Sequence, residues 1–256
     1  MASTDTETKT GCYVYGIVPG DVETESDARG VDDEPITLVR HGDIAALVSA
    51  VRTDRPLGEP QDLQAHARVL DSTASAVPVL PLRFGAVVTG EDAVAEELLA
   101  AHHDEFRSAL DQLDGHAEYV IKGRYDERAV LDEVLSSSEE AAGLREAIRG
   151  KPEDATRNKR LALGELINNA IDAKRQADTR RVLELLDDLG LRYTPRQPTH
   201  ELEAVHVACL AQVDKQEELE QALDKLAQEW HGQVEIRILG PLAPYDFVTT
   251  TQPPQA

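Results

Sequence analysis

The sequence predicts an α+β fold in two domains, and three observations carry that prediction. Short runs rich in Val, Ile and Tyr are bounded by Gly and Pro. Longer runs between them place apolar residues at helical spacing. From about residue 116 onward the elements fall in the order β-α-β-β-α-β, with a first helical segment much longer than the second.

In the first domain, Cys12–Val18 is an apolar strand stopped by Pro19-Gly20. Residues 21–35 are an acidic loop of low apolar content. Ile36–Arg40 and Asp43–Val51 form two strands around His41-Gly42, a hairpin turn. After a Pro/Gly loop at 53–60, Asp62 is placed to cap a helix running to about Ala76, with Leu63, Ala67 and Leu70 on its apolar face. Val79–Val88 reads as extended. Thr89 is expected to cap a helix from Glu91 to about Leu113, striped by Val94, Leu98, His102, Phe106, Ala109, Leu110 and Leu113, and Gly115 closes it.

The second domain opens with a strand around Tyr119 and Ile121. Short helices follow over 126–149, broken at Ser136–Ser138 and Gly150. From Pro152 to Asp188 only Gly164 interrupts the helical pattern, so a helix of about 35 residues would run roughly 50 Å. Leu163, Leu166, Ala170, Ala173, Ala177 and Leu185 make a ragged heptad, which predicts a long, partly exposed arm or a kinked pair. Leu191–Arg196 and Glu201–Val213 are strands. Asp214 starts a helix carrying Leu219, Leu223, Leu226 and Trp230, and Val234, Ile236 and Ile238 alternate in a closing strand. This order is ferredoxin-like. The expected organisation is a disordered arm at 1–10, an N-terminal domain at 11–114, a C-terminal domain at 115–240 and a proline-rich tail at 241–256.

The 256 residues carry a formal charge of -22, with a sequence pI near 4.7. Such a surface repels phosphate backbones and anionic lipid, which argues against nucleic-acid and membrane partners. Basic residues are mostly Arg. A saline cytoplasm and a high-GC genome both produce this bias. If salt adaptation is the cause, screening of self-repulsion should raise the melting temperature between dilute buffer and molar salt. A flat or falling melting curve would reject it. The polar start lacks the apolar core of a signal peptide, and no window is long enough to span a bilayer. The expectation is a soluble, cytoplasmic protein. Cys12 and Cys209 sit in strand-like runs and read as buried thiols, although their pairing in a disulfide stays open.

Short catalytic motifs are absent: there is no Cys-x-x-Cys, Walker loop, Gly-x-Gly-x-x-Gly or Gly-x-Ser-x-Gly. His206 and Cys209 are three apart on a strand, so they face opposite ways and cannot share a metal. His66 and His41 stand alone, and partly buried or surface positions are their expected roles. No cofactor or metal is expected. Arg83 follows Pro81 in a segment expected to be buried, where a guanidinium needs a carboxylate or carbonyl, or else a partner. Phe84 stands beside it. Tyr245 and Phe247 lie in the proline-braced end and either close their own fold or present aromatics to a partner. Arg157, Lys159, Arg160, Lys174, Arg175, Arg180 and Arg181 form the one locally basic stretch. They read as a solvated helix face with intrahelical ion pairs, or as a docking face for an acidic partner.

Five segments in order resemble the GvpL/GvpF family of gas vesicle proteins. They are Tyr13–Pro19, His41-Gly42-Asp43, His66-Ala67-Arg68-Val69-Leu70, Pro81-Leu82-Arg83-Phe84-Gly85 and Gly240-Pro241-Leu242-Ala243-Pro244-Tyr245-Asp246-Phe247. The acidic loop at 21–35 departs from the pattern. The resemblance implies two α+β domains and a non-enzymatic accessory role in forming gas-filled protein shells. It also implies binding to the apolar major shell subunit, to other accessory gas vesicle proteins, or to both, and location at the gas vesicle. A ferredoxin-like protein that binds or converts a small molecule is the competing class.

Overall fold

The computed structural model describes residues 10–24 and 27–248. The arm expected at 1–10, apart from Thr10, and the tail end at 249–256 lie outside the described residues. The architecture is mixed α+β with two antiparallel sheets. Two compact units divide the chain. The first takes residues up to Tyr119, Leu210–Asp214 and those from Gly240; the second takes Val120–Cys209 and Lys215–Leu239.

The first sheet is built on β1 (Thr10–Pro19), which is buried from Cys12 to Val18. β2 (Thr37–His41) and β3 (Ile44–Arg52) form the expected hairpin around Gly42, with β3 antiparallel to β1. β4 (Leu80–Pro81) and β5 (Val87–Val88) both pair with β1 on its other side. The β1–β3 register slips between Val14 and Gly16. That bulge changes which face the following side chains occupy. Cys12, Val14 and Ile17 therefore enter one core, while Tyr13, Tyr15 and Val18 enter the other.

Helix α1 (Pro60–Ala74) packs on the Tyr13/Tyr15 face through Ala65, Val69, Leu70 and Ala74. Asp62 is not its cap, as expected, but its third residue. Glu59 caps the helix and Asp62 reaches back to the Glu59 amide at 3.2 Å. The buried face also differs from the one expected. Leu63 is 47% exposed and Ala67 is exposed, while Asp62 and His66 are buried. Pattern reading assigned polar residues outward, and their hydrogen bonds hold them inward.

The opposite core is filled by the segment after β5. The helix expected to run unbroken from Glu91 to Leu113 is interrupted. α2 (Glu91–Ala93) passes into a π-helical stretch, Val94–Ala100, and α3 begins anew at His103–Leu113. The widened turn lets both Leu98 and Leu99 enter the core with Val94, Phe106, Leu110 and Leu113. Gly90, not Thr89, occupies the cap position.

The second sheet has the order β7 (Arg192–Pro195), β8 (Glu203–Gln212), β6 (His116–Tyr125), β9 (Val234–Leu242). Between β6 and β7 come α4 (Glu127–Ser137), α5 (Glu139–Ile148) and α6 (Glu153–Asp188). Asp126 and Ser138 cap the first two by accepting from the amides of Ala129 and Ala141. α6 is one 36-residue helix. Its inward residues are Leu163, Asp178, Val182 and Leu186, whereas Ala173 and Ala177 of the expected heptad are exposed. α7 (Gln216–Glu229) precedes β9, burying Leu219, Leu223 and Leu226. Among the described residues no helix is long and apolar enough to cross a membrane.

Candidate functional site

The aromatic residues are few, and four of them converge with His66 in the first unit. β1 directs Tyr13 and Tyr15 to one face, and α1 brings His66 onto them. The His66 ring stacks on Tyr15 at 5.7 Å between centroids and meets Phe84 edge-on at 5.6 Å. Its Nδ1 lies 2.9 Å from the Tyr13 hydroxyl and its Nε2 lies 2.8 Å from that of Tyr245. The Tyr13 oxygen accepts from the Gly85 amide at 3.0 Å. Because the Tyr13 oxygen already accepts from Gly85, one consistent assignment has Tyr13 donate to Nδ1 and Nε2–H donate to Tyr245. Tyr15 accepts from the Val31 amide at 2.7 Å and bonds the Ser49 hydroxyl at 2.9 Å. A side chain on Gly30 would run into the Tyr15 hydroxyl, which explains glycine there.

Burial sets the protonation states. It pushes the His66 imidazole down to about 4 and raises the phenols of Tyr13, Tyr15 and Tyr245 above their usual range. At neutral pH the cluster is uncharged. Both imidazole nitrogens are taken by hydroxyls, so the arrangement fastens β1, α1 and the C-terminal segment together.

What it fastens is the segment from Gly240. The Ala243 amide donates to Asp71 Oδ1 at 3.0 Å, and the Asp246 amide donates to Glu118 Oε2 at 3.0 Å. Ala243 is buried in the core under α1, and Phe247 packs against the opposite core. Burial raises the Asp71 carboxyl. Tyr245 and Phe247 thus meet their own protein. A second polar centre ties the acidic loop to α1. Asp32 and Asp62 both receive Arg55, at 2.6 and 2.7 Å from Nη2, and Asp62 also accepts from the Gly58 and Glu59 amides. Arg55 and these amides hold the Asp62 carboxyl down at about 2.

Arg83 is corrected. Instead of being buried in a strand, it is exposed in the turn between β4 and β5. Gly85, at φ +88°, takes the chain out of the extended conformation there. Phe84 is half-buried against Tyr13 and His66. The basic stretch does not present one face. Lys174 pairs with Glu133 at 3.3 Å and Asp178 at 3.6 Å. Arg175 donates to the carbonyls of Glu203 and Glu201 at 2.7 and 2.6 Å and pairs with Asp172. Arg181 pairs with Glu229. Arg157, Lys159, Arg160 and Arg180 are exposed, with Arg160 also bonding Thr156.

Cys12 and Cys209 are buried and not in a disulfide. His206, on β8, bonds the Gln197 carbonyl at 3.1 Å. Among the described residues no group of three or more His, Cys, Asp or Glu is arranged to hold a metal. An open cleft of about 750 Å³ in the first unit is rimmed by Asp21, Asp43, Asp111 and Asp114, with Arg107 held by Asp43 and Asp111.

Comparison with known proteins places this architecture. The family model described as "Gas vesicle synthesis protein GvpL/GvpF" matches residues 11–249. The chain belongs to the GvpL/GvpF family. Gas vesicle protein F of Streptomyces sp. (strain CB03234) is 33% identical over 240 residues, covering 92% of this chain and 98% of that protein. Gas vesicle protein L1 of Halobacterium salinarum is 29% identical over 263 residues, covering 93% and 90%. The crystal structure of GvpF from Anabaena sp. PCC7120 shares the fold, with a TM-score of 0.76 at 21% identity over 96% of this chain and 99% of that one. The histidine–tyrosine cluster draws its residues from four of the five segments that carry the GvpL/GvpF resemblance in the sequence. Sequence reading missed His66 as their hub, because one polar residue in an amphipathic helix reads as surface. Tyr13 was the available signal, since a tyrosine in a buried strand needs a hydroxyl partner.

Proposed function

We propose that this GvpL/GvpF protein is a non-enzymatic accessory factor of gas vesicle formation. It binds the apolar major shell subunit, other accessory gas vesicle proteins, or both, during assembly, either transiently or as a minor component of the shell. The family match across residues 11–249 carries this reading. The split β-α-β order of the second unit, with β8 between β6 and β7, supports a ferredoxin-like assignment in which α4–α6 replace the first helix.

The surface supports a covering role. Leu63 is 47% exposed and Ala67 is exposed on α1, three residues before and one after His66. Tyr245, bonded to His66, is itself 37% exposed. These apolar groups on an acidic protein can cover apolar shell subunit while keeping the complex soluble. Arg157, Lys159, Arg160 and Arg180 are left to meet an acidic accessory partner.

Co-expression should raise the soluble fraction of the major shell subunit, and a pull-down should recover both chains. Leu63→Glu should weaken both effects while leaving circular dichroism unchanged. Tyr245→Ala with Phe247→Ala should instead destabilise the first unit, because both side chains are docked. If Leu63→Glu solubilises the subunit as well as the parent does, that surface is not the anchor. If the parent neither solubilises nor retains it, the chaperone-like reading is wrong.

A further inference from the structure

The two edges of the second sheet are unlike. β7 is four residues long and ends in Pro195, a short edge that pairs poorly with another chain. β9 spans nine residues and, among the described residues, has β6 as its only neighbour in the sheet. Among the described residues, no loop amide, loop carbonyl or side chain bonds the outer backbone of Val234–Leu239.

The direction of those backbone groups follows from one bond. The Asp126 amide donates to the Gln233 carbonyl at 2.9 Å, so Gln233 faces β6. Alternation along an antiparallel strand then turns Glu235, Arg237 and Leu239 toward β6 and leaves the amides and carbonyls of Val234, Ile236 and Ile238 pointing outward. The side chains sort the same way. Val234 is buried, and Ile236 and Ile238 are half-buried beside it. Glu235 and Arg237 lie on the opposite face, paired at 2.7 Å and largely exposed.

The sequence Val234-Glu235-Ile236-Arg237-Ile238 is self-complementary about its centre. We propose that β9 is a homodimerisation edge, on which two copies pair antiparallel through Val234–Ile238 about a two-fold axis at Ile236. In that register Ile236 meets Ile236 of the second copy, and Val234 meets Ile238. These are the residues whose backbone groups point outward, so each exchanges N–H···O bonds with the strand opposite. Glu235 falls opposite Arg237 of the second copy, and Arg237 opposite its Glu235. The half-buried Ile236 and Ile238 are covered on the other face. Charges on an edge strand ordinarily block pairing. Here their order makes them attractive in one register and repulsive in a slipped one. The net charge of -22 on each copy opposes association in dilute buffer, and salt relieves that repulsion over a short screening length.

Sedimentation equilibrium of the full chain tests this across a micromolar concentration range, in dilute buffer and in molar salt. The parent should dimerise, and more tightly in salt. Arg237→Glu and Glu235→Arg each place like charges opposite one another and should weaken the dimer by about tenfold or more. The double variant, with the two charges exchanged, restores both cross-strand pairs and should recover the parent's affinity. Ile236→Pro removes the outward amide at the centre of the edge, together with the half-buried isoleucine side chain, and should abolish dimerisation while melting remains cooperative. A parent that stays monomeric in molar salt would overturn the proposal. So would a dimer indifferent to the single charge reversals, or one that the charge exchange fails to rescue.

Discussion

Acidification from pH 6.5 to pH 4 should cost the first unit about 3 kcal/mol of unfolding free energy through His66 alone. Burial holds the folded imidazole neutral down to about 4, whereas an unfolded histidine takes its proton near 6.5. Between those values the unfolded chain binds more protons, so stability falls as pH falls, and the loss is complete below about 4. Asp71 works in the opposite sense. Its raised carboxyl adds stability at low pH that is lost as pH rises through the folded value. The difference between the parent and His66→Gln removes that contribution. Urea midpoints of the parent should drop across this window and those of His66→Gln should not. Parallel curves would show that His66 is not held neutral. His66→Ala should also destabilise at neutral pH, by about 3 kcal/mol, because it opens a cavity and takes a partner from two tyrosine hydroxyls.

Arg55→Met should lower the melting temperature by about 5–10 °C, well beyond an ordinary surface substitution. It leaves Asp32 and Asp62 facing each other without their shared cation. Asp62 is 2% exposed, and Asp32 sits at a positive φ of 58° that the pairing helps to hold. Asp62→Asn alone should also destabilise, and adding it to Arg55→Met should cost less than the sum of the two. A fully additive pair would mean the three groups are not coupled. With its folded pKa near 2, Asp62 contributes stability that is present above about 4 and is lost as pH falls toward 2.

The elements were readable where one face is apolar and the other polar. The β2–β3 hairpin, the breaks at Ser138 and Gly150, and the 36-residue α6 follow from turn residues and periodicity. Reading failed where polar groups point inward. On α6 the buried Asp178 bonds Tyr125, and the partly buried Lys174 and Arg175 bond Glu133 and the carbonyls of Glu201 and Glu203, so its hydrophobic periodicity is weak. On α1 the same effect hid Asp62 and His66. The π stretch at 94–100 and the turn at 82–85 were hidden for another reason. The turn depends on bonds to β1, and the π stretch packs against β2 and β3, neighbours that no local window contains. The candidate site was half legible: Phe84 and Tyr245 were singled out, but not the histidine that joins them.

The segment from Gly240 carries a consequence for how the protein is made. His66 and Tyr245 are 179 residues apart in sequence, and Ala243 and Asp71 are 172 apart. During synthesis the N-terminal sheet and α1 emerge first, yet their fastening arrives last, after the whole second unit has been translated. The nascent first unit therefore waits with Tyr13, His66 and the core beneath α1 uncovered. These contacts can form only once the intervening chain has been synthesised. A chain whose translation stops before Ala243 would carry every strand of the first sheet and still lack the piece that seals it.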